Sequence, residues 1–78
     1  MTACTLTELT PGKSGRIQRV EGQGSVRQRL QEMGLIRGTT VTFVRAAPLG
    51  DPIEIRVRGY HLSLRRQEAE AILVECEP

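Results

Sequence analysis

The sequence predicts a mainly β fold: a small barrel of five short strands, with one short α-helix inserted after the first strand and helical turns near both ends. Three observations predict it. Residues 40–45 and 53–65 are β-branched or alternate apolar with polar, and Gly and Pro interrupt them at short intervals, as in short, closely spaced strands. A good helical repeat of apolar residues occurs only at 25–33. The 78 residues give room for one domain, and closure of the strands into a barrel would remove their exposed edges.

The elements follow in order. Thr7-Glu8-Leu9-Thr10-Pro11-Gly12 reads as a helical turn and then a Pro-Gly turn. Gly15–Val20 is the first strand, with imperfect alternation. Gly22-Gln23-Gly24 breaks the chain, and Ser25–Met33 is the helix. There Ser25 and Gln28 suit a capping box, and Val26, Leu30 and Met33 fall on one face. Gly34 stands where a left-handed residue ends a helix, with Leu35 placed to fold back on Leu30. Thr40–Arg45 is a β-branched strand, and Ala47-Pro48-Leu49-Gly50-Asp51-Pro52 is a loop. Ile53, Ile55 and Val57 alternate with Glu54, Arg56 and Arg58, the pattern of a strand with one buried face. Arg58-Gly59 makes a compact turn into a return strand with Tyr60, Leu62 and Leu64 on one side. Arg66–Ala71 is a short helical segment and Ile72–Cys76 a last strand.

Composition limits function. A domain of this size buries only about 60% of its unfolded surface, and one Phe, one Tyr and no Trp leave an aliphatic core with little volume for a deep active site. Net charge is +2, unevenly spread: residues 1–45 carry seven basic and three acidic side chains, residues 46–78 four and six. Every basic residue except Lys13 is Arg, suited to planar contacts with carboxylates or phosphates, but the excess is too small for the usual nucleic-acid footprint. The first twenty residues lack an apolar signal segment, and the longest aliphatic run, Ala71–Val74, is far too short to span a bilayer. A soluble, cytoplasmic protein without direct membrane insertion is expected.

Chemistry-bearing patterns are sparse. No GxSxG, HExxH or CxxC occurs, so no enzyme is expected. His61 reads as a solvent-facing strand histidine. Gly22-Gln23-Gly24-Ser25 precedes a helix but lacks the GK[ST] ending of a phosphate-binding loop. Cys4, His61 and Cys76 are the only weak candidates for a metal site, where Zn²⁺ would suit thiolate and imidazole, and nothing in their spacing brings them together. A Cys4–Cys76 disulfide is disfavoured, because cytosolic thiols stay reduced. No cofactor is expected. Arginines around the helix and on one strand leave an RNA-binding barrel as a competing class, against which the two aromatics offer no stacking platform.

Four blocks in order resemble one family. They are Leu9-Thr10-Pro11-Gly12; Arg29-Leu30-Gln31-Glu32-Met33-Gly34-Leu35-Ile36-Arg37-Gly38; Ala47-Pro48-Leu49-Gly50-Asp51-Pro52-Ile53; and Leu62-Ser63-Leu64-Arg65 with Ala69 and Ile72. Together they are similar to the ferrous iron transport protein A (FeoA) family. The resemblance implies an SH3-like barrel, similar in fold to the C-terminal domain of iron-dependent DtxR-type repressors. With no winged-helix segment before it, a free-standing family member is expected. The resemblance further implies a small accessory protein of bacterial ferrous iron uptake. Such a protein binds the cytoplasmic part of the membrane permease FeoB, supports or regulates it, and sits at the inner face of the membrane through that partner. The competing expectation is an independent SH3-like module that binds protein or RNA.

Two surfaces suit a partner. The loop Pro48, Leu49, Gly50, Asp51, Pro52 is stiffened by proline, and a restrained loop loses less entropy on docking. Arg27 and Arg29 on the helix could pair with acidic side chains. Leu30, Met33, Gly34, Gly38, Leu64 and Ala69 read as architecture, and a homodimer is left open.

Overall fold

The computed structural model describes residues 2–76, with the backbone alone for Thr2 and Cys76. Its strands are β1 (Thr2–Thr5), β2 (Ser14–Val20), β3 (Thr40–Ala46), β4 (Ile53–Val57), β5 (Tyr60–Leu64) and β6 (Ile72–Cys76). Helix α1 (Gly24–Glu32) follows β2, a short α2 (Arg66–Ala69) precedes β6, and a 3-10 turn spans Leu6–Glu8. The strands form one antiparallel sheet in the order β1-β6-β2-β3-β4-β5.

The sheet has six strands where the sequence suggests five. The additional β1, Thr-Ala-Cys-Thr, has no apolar alternation of its own. It is a strand because β6 provides its ladder, with Thr2 opposite Cys76 and Thr5 opposite Leu73. β1 and β5 stand at the two ends of the sheet, and no ladder joins them among the described residues. The sheet therefore curls around its core without sealing every edge. Register shifts between Ile17 and Arg19 in β2, and between Phe43 and Arg45 in β3, supply the bends. The first of these also explains the imperfect alternation of β2. Cys4 is disulfide-bonded, against the expectation from a reducing cytosol. The register puts Cys4 opposite Val74 on β6, two residues from the backbone of Cys76.

Helix α1 begins one residue earlier than expected. Gln23 takes the N-cap position with no side-chain cap bond, so Ser25 lies inside the first turn and the Ser25–Gln28 capping box does not form. The other end is as the sequence suggests. Gly34 has φ +93°, its N–H bonds the Gln31 carbonyl at 3.0 Å, and the Leu35 N–H bonds the Leu30 carbonyl at 3.1 Å. Leu30 and Leu35 are both fully buried in one core cluster with Ile17, Val41, Ile55 and Val74. α2 stops at Ala69, two residues short of the expected Ala71.

Candidate functional site

The loop between β3 and β4 is fastened at three points. The Gly50 N–H bonds the Ala47 carbonyl at 2.7 Å, and the Ala47 N–H bonds the Pro52 carbonyl at 2.9 Å. Asp51 Oδ1 accepts the Arg66 N–H at 3.0 Å, which ties the loop to the first residue of α2. Leu49 at the tip is 97% exposed, an isolated aliphatic side chain held out on a braced turn.

Beneath this tip lies a groove of about 680 Å³, walled by Leu49, Asp51 and Pro52 on one side and by Arg29 of α1 and the C-cap residue Met33 on the other. Ser63, Leu64, Arg65 and Glu68 complete it. A second hollow of about 490 Å³ lies on the Pro48 side of the loop, lined by Arg45, Ala47 and Glu54 among others, and Pro52 and Ser63 border both.

The two partner surfaces read separately from sequence thus meet in one place. Arg29 lines the groove and Arg27 does not, because residues two apart on a helix point in different directions. The Arg29 Nη2 atom pairs with Glu68 Oε2, joining α1 to α2 across the groove. Glu68 Oε1 accepts the Arg65 N–H at 2.9 Å, so this nearly buried carboxylate is held from both sides. A buried carboxylate would be costly without such partners. Glu68, Arg65, Ser63 and Met33 are groove residues that the sequence reading did not assign to a site. The one signal for Glu68 is its spacing three residues after Arg65, which lets a glutamate reach back to the amide at a helix start.

Of the remaining candidates only Leu64 borders the groove. Gly38 (φ +90°) shapes the turn before β3, and Leu64 and Ala69 are buried. His61 is on the outer face of β5, its Nδ1 3.0 Å from Glu54 Oε2, and Glu54 Oε1 also accepts from Arg45 Nε at 3.0 Å. Cys4 is held in its disulfide. Among the described residues no group of three His, Cys, Asp or Glu side chains is placed to hold a metal ion. None of the described helices is long and apolar enough to cross a membrane.

Comparison with known proteins gives this geometry a family. The FeoA domain model matches residues 4–76. A Porphyromonas gingivalis Fe(2+) transport protein A/Fe(2+) transporter FeoB fusion protein is 49% identical over 70 residues, which cover 90% of this chain and 8% of that protein. The solution structure of a FeoA-like protein from Clostridium acetobutylicum superposes with a TM-score of 0.89 at 40% identity, covering 97% of this chain and 90% of that one. The zinc complex of Stenotrophomonas maltophilia FeoA, described as a prokaryotic SH3 domain protein, superposes with a TM-score of 0.81 at 29% identity, covering 92% and 89%. Six antiparallel strands, the braced Pro48–Pro52 loop and a domain match over nearly every described residue lead to one assignment: the chain belongs to the FeoA family and has its SH3-like fold.

Proposed function

We propose that this protein is an accessory module of ferrous iron transport that acts by binding. Its groove between the 47–52 loop and α1 receives a segment of the cytoplasmic part of a FeoB-type permease, which holds the module at the inner face of the membrane. The observation that carries this reading is the convergence of Leu49 and Arg29 on one groove. An exposed leucine on a fastened loop is a preformed apolar anchor, and it loses little entropy when covered. Arg65 and the rim of Arg29 add charge at the edges, where it steers partners rather than supplying most of the affinity. The lining holds one hydroxyl, that of Ser63, and two carboxylates that are both engaged within the fold, Asp51 by the Arg66 N–H and Glu68 by Arg29 and the Arg65 N–H, a set suited to recognition. The Porphyromonas gingivalis relative carries transport protein A and FeoB in a single polypeptide, an arrangement that keeps such a pair together.

Titration of the permease's cytoplasmic domains with this protein tests the reading. Leu49→Asp places a carboxylate at the anchor and should weaken binding at least ten-fold, in the range of a central interface residue. Unchanged affinity in Leu49→Asp, or no binding by the unaltered protein, rejects the groove.

A further inference from the structure

A second feature lies on the outer face of β2, β3 and β4. Arg16 stands opposite Thr40, and Thr42 stands opposite both Ser14 and Arg56. These positions alternate with buried Gly15, Ile17, Val41, Ile55 and Val57, so they share the solvent side of the sheet. Arg58, just beyond β4, donates from Nη2 to Thr39 Oγ1 at 3.3 Å, which holds it at the same end. Arg37, in the turn before β3, lines one small hollow with Arg16.

The guanidinium groups of Arg16, Arg37, Arg56 and Arg58 therefore gather on one side with short hydroxyl side chains between them. Among the described residues the ion pairs engage Arg19, Arg29, Arg45 and His61, and none of these four. Two glutamates border the face: Glu75 stands opposite Arg16 on β6 and accepts from Gln18 Nε2 at 2.6 Å, and Glu54 holds Arg45 and His61.

Four arginines against the single Glu75 carboxylate leave this face with excess positive charge, which calls for a partner that offers several anions at once. A single-stranded nucleic acid would add bases that need aromatic faces, but Phe43 is buried and the Tyr60 hydroxyl is bound to the Met33 carbonyl at 2.5 Å, and a duplex calls for a more basic chain than one of net charge +2. A folded protein would need an apolar anchor near the centre of the contact, and the centre of this face is Thr40, Thr42 and Ser14. A plane of phosphate headgroups needs neither. We propose that the Arg16–Arg37–Arg56–Arg58 face lies against the anionic phospholipid headgroups of a bilayer. This contact is separate from the groove and does not depend on it.

Flotation of the isolated protein with vesicles at low ionic strength tests the proposal. The protein should partition onto phosphatidylglycerol-containing vesicles and not onto pure phosphatidylcholine, and added salt should release it. Each arginine near an anionic surface contributes about five-fold. Arg16→Gln with Arg56→Gln should therefore lower partitioning about 25-fold. Arg19→Gln with Arg45→Gln removes as much charge outside the cluster and should cost less than about five-fold. Arg37→Gln, which alters no strand residue, should cost about five-fold alone. The proposal is overturned by equal partitioning onto neutral vesicles, by no partitioning, by equal losses from the two double variants, or by tighter binding to a single-stranded RNA oligonucleotide than to the vesicles.

Discussion

Gly34 ends α1 at φ +93°, and a Cβ placed there would lie 3.2 Å from the Tyr60 hydroxyl oxygen. Two costs coincide at this one residue. A side chain in the left-handed region loses about 1–2 kcal/mol, and the Tyr60 hydroxyl must shift from its bond to the Met33 carbonyl. Gly34→Ala should therefore destabilise the fold by about 2–3 kcal/mol in urea unfolding. Tyr60→Phe, which loses only a partly exposed hydrogen bond, should cost about 0.5–1 kcal/mol. The position of Gly34 was legible in the sequence, because a glycine directly after the apolar face of a helix has a specific backbone role. The role of Tyr60 was not. Its place in an alternating strand indicated which side of β5 it takes, but its partner lies 27 residues earlier in the chain.

At the scale of elements, the 47–52 loop and α2 behave as one unit, since Asp51 Oδ1 occupies the Arg66 amide. Asp51→Ala should cost about 1 kcal/mol. It should also raise the hydrogen-exchange rate of the Arg66 amide while leaving β2 and β3 amides unchanged. Element identity was legible wherever the pattern was local: the alternation of β4, the compact Arg58-Gly59 turn and the apolar face of α1. It failed where a distant partner decides. β1 is a strand because β6 lies alongside it. The helix start also differed from the local signal: α1 begins at Gly24 although Ser25 and Gln28 are better cap residues. The candidate site divided in the same way. The stiff loop and Arg29 were each visible in sequence, but the groove between them exists only once β5 and α2 are folded into place.

For the molecule as a whole, the packing of β2 on β6 is the tightest seam around a glycine. A Cβ on Gly15 would sit 3.0 Å from both Cβ and Cγ2 of Val74 and 3.3 Å from the Glu75 carbonyl oxygen. Gly15→Ala forces the two strands apart in the centre of the sheet. It should cost about 1–3 kcal/mol and lower Tm by on the order of 10 °C, read by calorimetry as one shifted transition. The other edge of β6, where β1 pairs with it, bears on how the module is attached to anything larger. With Thr2 beside Cys76 on adjacent antiparallel strands, a polypeptide joined at either end departs from a single corner. The Leu49 groove draws on neither β1 nor β6, so a tether from that corner starts clear of it, whereas Cys76 lies opposite Gly15, beside Ser14 and Arg16 of the arginine face.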